Sequence, residues 1–205
     1  MRLLALICCL CLGGALQAQQ VFDAGIYGGI ITSQVDGDNA QGFNKIGFTG
    51  GGFVRANLSE RLAVRMEMGY AGKGSRRPSD PDNGDFSSWG YTFHYVDVPI
   101  LVEYTLLNGM MIDAGPYVGY LISSQGLFDR AEYDIVNPSM ENIDVGIAGG
   151  IGYELDGGLF FMSRYSMSVI PIRNSPDPGN LTTVWDGGMA NIAIHFTVGY
   201  AITGG

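Results

Sequence analysis

Between Val96 and Leu106 the side chains alternate without a break. Val96, Val98, Ile100, Val102, Tyr104 and Leu106 share one parity, while Asp97, Pro99, Leu101, Glu103 and Thr105 take the other. A strand turns successive side chains to opposite faces, so this segment reads as a strand with one apolar and one mixed face. Ile143 to Leu155 repeats the pattern: Ile143, Val145, Ile147, Ile151, Tyr153 and Leu155 fall on one parity, and Asp144, Gly146, Ala148, Gly150, Gly152 and Glu154 on the other. Strands are predicted near 21–33, 46–57, 61–73, 92–106, 110–124, 143–155, 158–170 and 189–203.

The links between these strands carry as much information as the strands. Those after the second, fourth and sixth are tight: Leu58-Ser59-Glu60, Leu107-Asn108-Gly109 and Asp156-Gly157. Asn-Gly and Asp-Gly pairs supply the positive φ of a hairpin turn. Links after the first, third, fifth and seventh are long and rich in Asp, Asn, Gly and Pro, as in Gly74 to Tyr91. Short and long links in strict alternation fit an eight-stranded antiparallel up-and-down transmembrane β-barrel, with turns at the periplasmic rim and loops outside. The fold class expected is therefore all-β.

The N-terminus agrees. Arg2 precedes an apolar stretch from Leu3 to Leu16, and Ala18 offers a small-residue cleavage site before Gln19-Gln20. So short an apolar core reads as a secretory signal, not as a spanning helix. Residues 1–18 are expected to be a cleaved signal peptide and 19–205 the barrel domain. Cys8, Cys9 and Cys11 all lie in the signal, so disulfide and thiol chemistry are not expected of the mature chain. The residues before Cys11 do not suit lipidation.

Alternation alone fits a soluble barrel equally well, with its apolar parity inside. Two features select the membrane form. Tyrosines of the apolar parity fall at two heights: Tyr70 and Tyr120 near the outer rim, Tyr104, Tyr153 and Tyr200 near the inner rim, with Tyr165 nearer mid-strand. Such sorting forms the aromatic girdles of membrane–water interfaces. The polar parity, moreover, is no solvent surface. It carries Gly25, Gly29, Gly51, Gly69, Gly119, Gly146 and Gly199 among a few ionic residues, and after the signal the chain has only two lysines, Lys45 and Lys73, both read as near loops. Charged residues are 15% of the chain, against ~25% in soluble domains. A net charge of −9 excludes the basic patch that nucleic acid requires.

The inward parity predicts an ionic network in the lumen of Arg55, Arg65, Glu67, Asp97, Glu103, Asp113, Asp144, Glu154 and Arg164, joined by Asp23, Tyr117 and His195. Eight strands enclose a space just wide enough for side chains to fill, and charges inside must pair. A structural plug is the expected reading. The alternative is an acidic, cation-preferring water path, because seven carboxylates outnumber three arginines.

Catalytic chemistry finds little support. His94, close in sequence to Ser87 and Ser88, lacks a third orienting group and is read as a rim histidine. Asp80-Pro81-Asp82-Asn83-Gly84-Asp85 departs from a calcium loop, with Gly at the fifth position and Tyr91 where the bidentate Glu belongs, and turn chemistry is preferred over weak ion binding. Two histidines and no mature cysteine do not make a zinc site. No cofactor and no enzymatic activity are expected. Phe86, Trp89, Tyr91, Phe128, Tyr133 and Trp185 in the loops either mark a contact surface or pack the loops together.

Four segments resemble the PorT-like small outer-membrane β-barrel family: Tyr95-Val96-Asp97-Val98-Pro99-Ile100, Gly115-Pro116-Tyr117-Val118-Gly119, Asp144-Val145-Gly146 through Gly152-Tyr153, and Arg164-Tyr165. The resemblance runs over nearly the whole mature chain. It implies an integral barrel of the bacterial outer membrane and, from PorT itself, a role in protein secretion; it carries no catalytic residues. Barrels of this kind commonly end on an aromatic residue read by the assembly machinery, whereas this chain closes on Thr203-Gly204-Gly205 after Tyr200. The expected protein is a monomer that contacts membrane lipid, passes through the barrel-assembly machinery and uses its long loops as a structural or interaction surface. A narrow channel or a lipid-modifying enzyme is the alternative.

Overall fold

The computed structural model describes residues 22–38, 40, 42–128, 131–134, 140–174 and 188–203. The proposed signal and its cleavage site lie outside them. The strands are β1 (Phe22–Asp36), β2 (Lys45–Asn57), β3 (Leu62–Arg77), β4 (Trp89–Thr105), β5 (Met110–Phe128), β6 (Ala131–Asp134), β7 (Ile143–Glu154), β8 (Leu159–Ser168), β9 (Arg173–Asn174) and β10 (Gly188–Thr203). Eight of them form a ring of antiparallel neighbours, β1-β2-β3-β4-β5-β7-β8-β10, closed by pairing of β10 with β1. The short β6 and β9 extend β5 and β10 at the long-loop rim.

The pairing register fixes the barrel's dimensions. Starting at Ile143 of β7, paired residues lead through Tyr120, Val96, Tyr70, Gly50, Gly28, Val198 and Phe161. The circuit returns to β7 at Tyr153, ten residues further along the strand. That stagger over eight strands, with about 4.8 Å between strands and about 3.4 Å per residue, gives a tilt of about 40° and a radius of about 8 Å. Side chains can fill so narrow a ring.

Both parities lie as the alternation predicts. Ile26, Ile46, Phe48, Met68, Ile100, Val102, Val118, Ile147, Phe161 and Ile202 are exposed on the outer wall, whereas Arg65, Glu67, Glu103, Asp113 and Asp144 are buried. Several inward glycines have a packing role. The Tyr117 ring lies over Gly146 and the Phe160 ring over Gly199, so closely that a Cβ at either glycine would overlap the ring. At the short-turn rim, Asn108 (φ 63°) and Gly109 (φ 80°) take the left-handed conformation that reverses the chain between β4 and β5.

The predicted strand ends depart from the structure mainly at the opposite rim. β3, β4 and β5 each continue three or four residues into segments read as loop, pairing Arg77 with Trp89 and Trp89 with Phe128. On β3 the residues from Ala71 to Ser75 are buried on both parities and Arg76 and Arg77 are both exposed, so no contrast between faces marks that end.

Gly199→Val and Gly146→Val should each destabilise the barrel by about 1–3 kcal/mol through overpacking. Gly28→Ala, on the open outer wall, should change stability by no more than about 0.5 kcal/mol. Urea unfolding in lipid vesicles measures all three, and equal losses would contradict the packing role.

Candidate functional site: the filled lumen

Three cationic levels stack inside the ring. At the short-turn end, Arg55 on β2 donates to three carboxylates: Nε to Asp23 at 3.0 Å, Nη1 to Glu103 at 3.1 Å and Nη1 to Glu154 at 2.6 Å. Asn57 donates to the same Asp23 oxygen at 2.9 Å. Below this level a vestibule of about 850 Å³ opens between the turns, lined by Arg55, Arg61, Glu103, Glu154 and Tyr200.

At mid-height Arg164 on β8 binds two carboxylates, each with two bonds. It meets Glu67 at 2.9 and 3.1 Å and Asp113 at 3.3 and 2.6 Å. The planar guanidinium presents the parallel donors that this needs. Arg65 Nε stands 2.8 Å from Glu67, and its guanidinium lies over the rings of Phe53 (3.7 Å) and Phe160 (4.5 Å). Cation–π attraction adds to the ion pairs where water is excluded. Above Arg164 a cavity of about 30 Å³ is bounded by Tyr27, Thr49, Ser166, His195 and Thr197, with Ser166 Oγ 3.0 Å from His195 Nε2. That is room for about two waters.

The outer level corrects the sequence reading of Lys73. This residue is not near a loop: it is fully buried. Its Nζ lies 2.8 Å from Asp97 and 3.2 Å from Asp144, between the rings of Tyr95 (4.9 Å) and Tyr117 (4.5 Å). Asp144 further accepts from Ser168 at 2.7 Å, Asn191 at 3.0 Å and Tyr117 at 3.2 Å. With Lys73 counted, the seven inward carboxylates face four cations, and each has a cationic atom within 4.0 Å. Over this level lies an apolar cap of Val35, Phe93, Tyr95, Ile172 and Met189.

Loop aromatics divide between the two readings. Trp89, Tyr91, Phe93 and Tyr95 share one parity of β4 and touch in sequence, edge-to-face, stacked and edge-to-face, with centroids 6.3, 5.8 and 6.3 Å apart, running down into the cap. Phe86 and Phe128 stay exposed at the tips. The Tyr133 side chain and Trp185 lie outside the described residues. Period-two aromatics at 89, 91, 93 and 95 were the signal that would have revealed the ladder.

Tyr70, Tyr104, Tyr120, Tyr153 and Tyr200 all project from the outer wall. His94 does not pair with Ser87 or Ser88. It projects outward beside Tyr70, whose hydroxyl lies 2.6 Å from Nδ1. Asp80 to Asp85 form a bridged turn around a short 3₁₀ segment (Pro81–Asn83), and Asp85 accepts from Ser87 and Arg77.

A family model described as outer membrane protein beta-barrel domain matches residues 17–174. Among solved structures, Ail, the attachment invasion locus protein of Yersinia pestis, is 13% identical with a TM-score of 0.50, covering 88% of this chain and 98% of Ail. Neisserial surface protein A is 10% identical with a TM-score of 0.51, covering 87% of this chain and 96% of the other. At such identities the likeness is one of fold. No curated protein matches the chain.

Lys73→Met leaves Asp97 and Asp144 buried without their cation and should destabilise the barrel by about 3–5 kcal/mol. Arg61→Met at the exposed turn should change stability by no more than about 0.5 kcal/mol, both read as urea midpoints. Beyond the membrane, burial pushes the Asp38 carboxyl above its ordinary range, although hydrogen bonding lowers it in part. A raised folded value means that Asp38 favours the folded loop at low pH and loses that contribution as pH rises through the folded value. Asp38→Asn should therefore slow hydrogen exchange around Asp38 at pH 7 and leave it unchanged near pH 3.

Proposed function

The chain belongs to the outer membrane protein beta-barrel domain family, and on that premise we propose that it is a non-conducting, non-enzymatic interaction barrel of the bacterial outer membrane. Its outer hairpins engage a surface or secretion partner. The observation that carries this reading is the lumen: ion-paired levels at Arg55, Arg164 and Lys73, then an apolar cap, occupy its height. A filled lumen leaves the outer rim as the surface available to a partner.

The rim is suited to that role. β3, β4 and β5 continue past Tyr70 and Tyr120 as a projecting sheet extended by β6, with Phe86 and Phe128 exposed at its tips. Exposed aromatics on a rigid frame are common anchors of protein contacts. The link to secretion draws on the PorT-like segments. Tyrosines at the two heights serve as the interfacial girdle, and the ionic levels serve as structure. The carboxylate surplus favours the competing reading of a cation-preferring path, and conductance separates the two.

Photo-crosslinkers placed at Phe86 and Phe128 on intact cells should capture one protein, whereas a crosslinker at lipid-facing Met68 should not. Recovery of no protein adduct at either tip would sink the interaction reading. Planar-bilayer recordings should stay flat at moderate voltage, and steady cation-selective steps would establish the path instead. Epitope tags at Asp82 should be accessible on whole cells and tags at Asn108 inaccessible. The third position suited to tagging, Asn137, lies outside the described residues.

A further inference from the structure

We infer that the outer wall holds one acyl chain of an inner-leaflet phospholipid in a groove of about 600 Å³ across β7, β8, β10 and β1. The groove begins beside Tyr153 at the short-turn rim and rises between Phe161, Phe196, Ile151 and Ile30, all exposed on the lipid-facing wall. Two small outward residues hollow it. Ser163 interrupts the outward row of β8 between Phe161 and Tyr165, and it pairs with Phe196 on one side and Ile151 on the other. Gly28 interrupts β1 between Ile26 and Ile30, opposite Val198.

Gly28 differs from the glycines of the lumen. Gly146 and Gly199 lie under rings, but a Cβ on Gly28 would meet nothing nearer than 3.9 Å. Packing within the chain therefore gives no reason for glycine there. A glycine inside a strand weakens it and often marks close approach by a ligand. The occupant follows from place and chemistry. The groove is continuous with the apolar wall that faces lipid, and its protruding side chains are hydrocarbon and aromatic, so a hydrocarbon chain fits. Its entrance beside Tyr153 sets the headgroup at the inner interface, where a tyrosine meets both media. This assignment rests on short turns facing the periplasm, which the tags at Asp82 and Asn108 test separately.

The experiment reconstitutes the full barrel in phosphatidylethanolamine–phosphatidylglycerol vesicles with a trace of phosphatidylethanolamine bearing a diazirine on one acyl chain. After photolysis, adducts are mapped by mass spectrometry. Labelling of Phe161, Ser163 and Phe196 should exceed that of Met68 and Ile100, on the opposite wall, several-fold. In Ser163→Phe and Gly28→Phe it should fall to the opposite wall's level. Folding is confirmed by the heat-dependent gel shift, and if Ser163→Phe fails to fold, Gly28→Phe carries the test because of its open surroundings. Even labelling of both walls, or persistence of groove labelling in the filled variants, would each overturn the assignment.

Discussion

Charge pairing across a ring of about 8 Å radius is the constraint on which the other features of this barrel depend. Arg164 on β8 reaches Glu67 on β3, 97 residues earlier in the chain, and Asp113 on β5. Arg55 joins β2 to carboxylates on β1, β4 and β7. Lys73 on β3 likewise reaches Asp144 on β7, so Arg164, Arg55 and Lys73 each tie their own strand to at least one strand with which it does not pair. Carboxylates and guanidinium groups in so confined a space are tolerable only when each meets an opposite charge, since an unpaired buried ion costs several kcal/mol. The same pairing fills the lumen with side chains at three heights.

Filling the ring requires relief as well as charge. Phe160 and Tyr117 lie flat because Gly199 and Gly146 leave space beneath them. Phe53 and Phe160 then form the surface on which the Arg65 guanidinium rests. Glycines on the inward parity and aromatics on the same parity are therefore two halves of one packing solution. The composition suggested curvature and room; the structure shows which rings occupy the room.

Most of the architecture was legible in the chain, and the departures share physical causes. Alternation marks a strand only where its two faces meet different surroundings. It therefore located β2, β7 and β8 closely but lost the outer end of β3, where Ala71 to Ser75 are buried on both parities and Arg76 and Arg77 are both exposed. Lys73 was misplaced for the same reason, because it follows the residues that alternate clearly and sits close to a polar segment. Its burial depends on the cap closing over it, and that cap gathers Val35, Phe93, Ile172 and Met189 from four separate stretches. Trp89 and Tyr91 left two readings open in the sequence; in the fold Tyr91 packs against that cap and Trp89 meets Tyr91 edge-on.

By itself the sequence determined the parity of nearly every strand residue, the succession of tight and long links and, from the placement of tyrosine and glycine, which face meets lipid. These are local properties, set by a period of two and by turn chemistry. Only the tertiary structure decided which cation meets which carboxylate, that Lys73 belongs to the lumen and that Gly28 and Ser163 hollow one groove. Those relations depend on the stagger of ten residues around the ring, which sets the height of each strand against the others. No single strand encodes that stagger; it exists only once β10 closes on β1.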